Sequence, residues 1–376
     1  MELSCAIVLT TIYESDVLDV YFRNFQKYGK LDQVQVIVIP DKKTPPSVYE
    51  RCLSLSKQGL KVECPSIAEQ EEYLKGFGKF SKLIPYNSDN RRNVGYLMAY
   101  EKDVDFLISI DDDNFCLSNE DFFSGHSIVC RDEQDLTFVN SGDKWFNICS
   151  MLELEPEYKV YPRGFPYKHR HKEEDVTYGK GKGVVRLNAG LWLSEPDLDG
   201  ITWLAAPVRA KRLRTESIVL GDTAWSPINT QNTALHRDVI PSYYFIKMGY
   251  QMGGLTIDRY GDIFSGYFSQ ACMRHFGHLI RVGTPVAEHR RNAHNYMSDA
   301  TKELACIWVL EDLLQWLIEA RLEGTTYSEA YVALSHGIED AVEHFSGFIW
   351  SDSTRGYFHQ MAYCMREWAK VCTQIA

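Results

Sequence analysis

The segment Val104–Ile110 (VDFLISI), followed at once by Asp111-Asp112-Asp113, constrains this chain more than any other feature. Its core, Phe106-Leu107-Ile108-Ser109-Ile110, is short, almost unbroken in apolar character and rich in β-formers, as a strand covered on both faces must be. Such a strand belongs inside an α/β sheet, and ligands collect at the C-terminal ends of its neighbours. Along an extended chain side chains alternate, so Asp111 and Asp113 are expected on one side and Asp112 on the other. Two carboxylates on one side suit a hard cation, Mn²⁺ or Mg²⁺, which leaves positions open for diphosphate oxygens. Acidic clusters also end strands and solvate turns, and the triplet alone does not choose between the two readings.

Two further apolar runs, Ala6–Thr10 and Val34–Ile39, read as buried strands, and Val17, Leu18, Val20, Tyr21, Phe22 and Phe25 between them repeat at helical spacing. Strand, helix and strand in that order predict a right-handed unit and a mostly parallel sheet. The second run ends in Pro40-Asp41-Lys42-Lys43, so Thr10, Asp41 and Asp111 are expected to face one crevice, with a turn-capping Asp41 as the alternative. Asn87–Tyr96 carries polar caps and then a helical run. Arg91 and Arg92 there either form an anion site at a helix start or stand in solvent. Gly179-Lys180-Gly181-Lys182-Gly183 lacks the GKS or GKT ending of a phosphate loop and is read as a flexible surface loop, able to close over a diphosphate.

The 376 residues carry a formal net charge of −11, which argues against a nucleic-acid polymer as partner. Met1–Cys5 leads straight into the first strand and no uncharged apolar stretch reaches membrane-spanning length, so a cytoplasmic protein with no membrane span is expected. The ten cysteines show no CxxC pair or finger spacing, which makes them reduced thiols rather than zinc ligands. Beyond residue 300, Lys302–Glu319, Tyr327–Phe345 and Phe358–Val371 all show helical periodicity. These helices are expected to pack on the preceding domain or on a partner subunit, as in a homo-oligomer.

Four more blocks follow the triplet in order. They are Arg163-Gly164-Phe165-Pro166 with Arg170 seven residues on, Gly190–Asp199 (GLWLSEPDLD), Ile257–Tyr267 (IDRYGDIFSGY), and the run HRRNAHN opened by His289. Together, over about residues 5–300, they resemble the reversibly glycosylated polypeptides, or UDP-arabinopyranose mutases, of GT-A fold. That resemblance implies an α/β, Rossmann-like nucleotide-diphospho-sugar transferase domain over residues 1–300 and a helical extension over 301–376. It implies a DXD motif, with Asp111, Asp113 and His289 as metal ligands. On the donor side it implies Arg92, Asp111 and Asp112; the strand ends add Thr10 and Asp41, and Trp192 of the Gly190–Asp199 block is placed with them. Arg163 matches the family's sugar-accepting arginine and Arg170 its second important one. A guanidinium is always protonated and a poor nucleophile, so an electrostatic role is the less demanding reading of both. Asp262 is the implied base for an acceptor.

The chain also departs from the family. Asn114 stands where the plant proteins typically carry Cys, and Gly261 where Asp is usual. Asn188-Ala189 and Ser226–Asn232 differ too, and these changes are expected to line the sugar and acceptor region. The implied activity is a metal-dependent glycosyltransferase moving a sugar from a nucleoside-diphosphate-sugar to a small-molecule or glycan acceptor, with Mn²⁺ or Mg²⁺ as cofactor. A sugar-nucleotide mutase, with self-glycosylation on Arg163, is the alternative. A non-catalytic nucleotide-sugar scaffold is the third.

Overall fold

The computed structural model describes residues 2–14, 16–252, 254–292 and 295–376, so Ala293 and His294 of the HRRNAHN run lie outside the described residues. The first half of the chain forms β1 (Cys5–Thr11), α1 (Val17–Lys27), β2 (Val34–Pro40), α2 (Pro46–Lys57), β3 (Lys61–Glu63), α3 (Ile67–Lys75), α4 (Arg92–Glu101), β4 (Phe106–Ile110), β5 (Asn114–Cys116), α5 (Phe122–His126), β6 (Gln134–Ser141), β7 (Leu152–Glu155) and β8 (Val176–Gly183). There follow β9 (Val185–Ser194), α6 (Gly200–Ala205), β10 (Arg209–Leu213), β11 (Ile218–Leu220), β12 (Asn232–His236), β13 (Tyr250–Met252), β14 (Leu255–Ile257), α7 (Gly261–His275), β15 (Leu279–His289), α8 (Tyr296–Leu317), α9 (Tyr327–His344) and α10 (Asp352–Ile375).

The α/β architecture, a sheet with helices on its faces, is what the sequence led one to expect. The main sheet runs β3-β2-β1-β4-β12-β9-β15-β11-β6-β8. Its first four strands are parallel to one another, and from β12 onward the pairing is mixed. Residues along β1 alternate between two cores: Ala6 and Val8 face one, while Cys5, Ile7 and Leu9 face the other. Helix α1 covers the second core with Val17, Leu18, Tyr21, Phe22 and Phe25, one apolar stripe on a 3.6-residue period.

Strand β12 is antiparallel to both β4 and β9, and β15 is parallel to β9. The C-terminal ends of β1, β2, β4, β9 and β15 therefore open on one edge, together with the segment entering β12. The candidate site residues sit at that edge.

The C-terminal helices share the first of those cores. Trp368 of α10 is fully buried, packs on Phe80 and Tyr244, and donates its Nε1–H to the Pro241 carbonyl at 3.1 Å. Residues 300 and 301 lie inside α8, which begins at Tyr296. All ten cysteines are free thiols, eight of them buried. No described helix is long and apolar enough to cross a membrane.

The Gly179–Gly183 run is not a loop. It forms the second half of β8, paired antiparallel with β6 residue by residue. The glycines leave room for neighbours: a Cβ on Gly181 would stand 3.0 Å from the Phe138 ring, and one on Gly183 would collide with Leu279. Glycine hides the strand in the sequence because the apolar surface belongs to its neighbours.

Candidate active site

A cleft of about 630 Å³ lies along the strand-end edge. Thr10, Asp41, Arg92, Asp111, Asp112, Asp113, Arg163, Asp262 and His289 all line it, so nine side chains proposed from the sequence share one cavity.

The acidic triplet is a turn rather than an extended continuation of β4. The Asn114 N–H closes it on the Asp111 carbonyl at 3.2 Å, and β5 leaves in a new direction. Strict alternation therefore fails, and each carboxylate finds a different partner. Asp111 Oδ1 accepts from Arg92 Nη2 at 2.6 Å, and Asp112 Oδ2 accepts from Thr11 Oγ1 at 2.5 Å. Asp113 Oδ1 accepts from Asn114 Nδ2 at 2.9 Å, while its Oδ2 faces His289 Nε2 at 3.4 Å.

His289 is 2% exposed, and its Nδ1–H donates to the Glu195 carbonyl at 2.6 Å. That bond orients the ring and turns Nε2 toward Asp113, the arrangement that presents an imidazole to a metal. Burial lowers the His289 pKa, but the Asp113 carboxylate raises it more. Burial pushes the Asp111 carboxyl up to about 6 against the pull of Arg92, and the Asp112 carboxyl up to about 7 against the Thr11 hydrogen bond. Eight aspartates against six arginine or lysine side chains line the cleft among the described residues. A dianionic diphosphate entering such a cavity needs added positive charge.

The donor set fits that need through Asp113 and His289. Asp111 is committed to Arg92, and no three described His, Cys, Asp or Glu side chains converge as a closed metal site. Two protein ligands suit a cation that takes its remaining positions from phosphate and water.

A second wall of the cleft is an ion-pair network. Arg163 donates Nε and Nη2 to Asp197 at 2.9 and 3.0 Å, and Nη1 and Nη2 to Asp262 at 3.0 and 2.6 Å. Its last N–H goes to the Arg259 carbonyl. All five donors are engaged. Burial alone would lower the Arg163 pKa, but the two aspartates hold it well above its ordinary value. The guanidinium is thus neither free to accept a sugar nor free to hold a phosphate.

Arg259 itself has φ +62°, a left-handed conformation uncommon for a non-glycine residue. That backbone aims its carbonyl at Arg163, while its side chain reaches Glu303 at 3.0 Å and Asp299 at 3.3 Å on α8. Glu303 is fully buried and also accepts the Gly200 N–H at 2.7 Å.

Two proposed residues lie outside the cleft. Arg170 donates to Asp199 at 2.7 Å and to Thr202 at 3.1 Å and lies over the Tyr167 ring at 3.6 Å, bracing the start of α6. Trp192, 3% exposed on β9, is part of the apolar core. Asn188 is also internal, bonded to His126 Nδ1 at 3.0 Å and to the Thr284 carbonyl at 3.1 Å, whereas Thr230 and Gln231 do line the cleft. Asp197, Arg259 and Arg291 line it as well and were not singled out from the sequence, although each falls inside one of the quoted blocks.

The profile described as reversibly glycosylated polypeptide matches residues 5–376. The chain belongs to the reversibly glycosylated polypeptide family. Among its relatives, probable UDP-arabinopyranose mutase 1 of Pisum sativum is 24% identical over 98% of this chain and 90% of that protein. UDP-arabinopyranose mutase 2 of Arabidopsis thaliana is 22% identical over 98% and 91%. A partial likeness links this family member to glucosyl-3-phosphoglycerate synthase of Mycobacterium tuberculosis, at 12% identity and a TM-score of 0.39 over 84% of this chain and 79% of that one. That enzyme has also been solved with Mn²⁺, UDP-glucose and phosphoglyceric acid.

Proposed function

We propose that this chain is a divalent-cation-dependent enzyme of UDP-sugar chemistry, a mutase that detaches the sugar from the diphosphate and rejoins it after a change of ring size. The reading rests on the facing pair Asp113 and His289 beside Arg92–Asp111 at one strand-end edge, in a family whose relatives of nearly equal length carry the mutase name. Asp113 and His289 would hold Mn²⁺ or Mg²⁺. When bound, that cation neutralises charge building on the diphosphate as the bond to the sugar breaks.

The chain's own residues do the rest. Arg92, buried against Ser109, Thr230 and Thr10, fixes Asp111 at the rim of the diphosphate position. Arg163 positions Asp197 and Asp262 rather than reacting. The catalytic unit in this reading is residues 1–300, and the extension over 301–376 braces its far wall through Glu303.

One observation favours mutation over transfer to an outside acceptor. Both oxygens of Asp262, the expected acceptor base, accept from Arg163. A reaction that returns the sugar to its own diphosphate needs no base for an incoming hydroxyl.

Anion-exchange chromatography of UDP-arabinopyranose incubated with the protein and Mn²⁺ tests the reading. An isomeric UDP-sugar peak at equilibrium is expected. UDP release that depends on an added acceptor would replace the mutase reading with a transferase, and binding without turnover would leave a scaffold.

A further inference from the structure

The arginines of the cleft differ in what their guanidinium groups already hold. Arg163 has given every N–H to Asp197, Asp262 and the Arg259 carbonyl. Arg92 gives Nη1 to Ser109 and Thr230, and Nη2 to Thr10 and Asp111. Arg91 turns away to Gln70, and Arg259 is held by α8. Arg291 is the exception. Among the described residues no hydrogen bond or ion pair reaches its guanidinium; its Nη1 is buried without a partner, as is Nε of Arg92, whose other nitrogens are bonded.

Its placement is built rather than accidental. Arg291 stands two residues beyond His289, past the end of β15. Arg290, between them, bonds Glu288 through Nε and Nη2 at 3.0 and 2.8 Å and lies over Phe115. Arg291 instead rests over Trp203 and Tyr296, with Cζ 5.5 and 5.6 Å from the ring centroids. Those rings stack on each other at 5.4 Å and 11°, joining α6 to α8. An aromatic shelf holds a cation without using its N–H donors.

The charge of Arg291 acts on both His289 and Asp197. Arg291 therefore shares the cleft with the cation position and with the Arg163 network. A buried N–H with no acceptor is costly, and a planar fork of donors matches phosphate oxygens.

We infer that Arg291 is a diphosphate-binding residue whose fork takes the phosphate from which the sugar departs. The assignment rests on the UDP-sugar reading of the cleft. It supplies what a mutase needs, a diphosphate that stays in place while its sugar is detached.

The test is calorimetric titration of the full chain with UDP and with UMP, each in the presence of Mn²⁺. Arg291→Gln is expected to weaken UDP binding about 10- to 100-fold and UMP binding by less than about threefold, because only UDP carries the second phosphate. Arg291→Lys, which keeps the charge but not the fork, should fall between, and it carries the same readout if the Gln variant does not fold. Arg290→Gln should match the wild type for both nucleotides. An equal loss for UDP and UMP, or no loss for UDP, would overturn the assignment. Wild-type protein that binds neither nucleotide would overturn the UDP-sugar reading and this assignment with it.

Discussion

The two long walls of the cleft are built on opposite plans. On one, β1, β2 and β4 each deliver side chains within three residues of their ends: Thr10, Asp41 and Asp111–Asp113. On the other, Arg163, Asp197, Arg259 and Asp262 come from separate segments and are locked by ion pairs that run on into α8. The first wall pairs its triplet carboxylates one at a time, with Arg92, with Thr11 and, through Asp113, with the His289 imidazole at the end of β15. The second has used its charges internally. On the UDP-sugar reading proposed above, such a division lets one side adapt to a charged donor while the other stays fixed.

The largest effect that would break this comparison lies on the fixed wall. Arg163→Met leaves Asp197, 2% exposed, and Asp262 facing each other with no cation between them. Removing one partner of a buried ion pair typically destabilises by about 3–5 kcal/mol. Urea denaturation should show a loss of that order, partly recovered in the Arg163→Met/Asp262→Asn double variant. Unchanged stability with lost turnover would turn Arg163 back into a reacting group.

On the adaptable wall the expected effect is kinetic. Asp113→Asn is nearly isosteric at the strand-end edge and should lower Mn²⁺-dependent turnover at least about 100-fold, with circular dichroism unchanged. Full turnover in that variant would remove Asp113 from the cation site and leave His289 without its facing carboxylate.

The same division explains what could be read from the residues. The strands β1, β2 and β4 and the helix α1 are apolar runs whose burial is written in their own side chains, and the expected spans agree with the structure to within a residue or two. Thr10, Asp41 and Asp111 followed from those strand ends. Arg163, Asp262 and His289 needed the resemblance, because Asp197 is 34 and Asp262 99 residues from the arginine that joins them. Pairings over such separations leave no local pattern. Arg170 and Trp192 stood beside the informative blocks, but Asp199 and the apolar core hold them elsewhere.

Gly261 sharpens the comparison at the seam between the walls. A Cβ there would stand 2.5 Å from the Ile246 carbonyl oxygen and 2.7 Å from the Phe245 ring, and both residues line the cleft. The family's usual Asp therefore has no room in this chain unless the Phe245–Ile246 segment moves. Gly261→Ala should destabilise by about 1–3 kcal/mol, the ordinary range for overpacking. It should also raise KM for the UDP-sugar. Wild-type stability and KM would mean that the segment yields freely and does not shape the cleft.

The smallest effect belongs to a region outside both walls. Lys180 and Lys182 gave the Gly179–Gly183 run its resemblance to a phosphate loop, yet both stand exposed on the edge strand β8, where Lys180 Nζ reaches Thr137 Oγ1 at 2.6 Å. Neither lines the cleft, and the eight residues of β8 are all paired with β6, which removes the freedom a closing loop requires. Replacing both lysines by serine should leave turnover within about twofold, as for exposed surface positions generally. A larger loss that deepened with rising UDP-sugar concentration would show a role at the level of kcat and give β8 a part in the reaction. A loss confined to low ionic strength would instead reflect long-range steering by two exposed positive charges, which salt screens within about 10 Å.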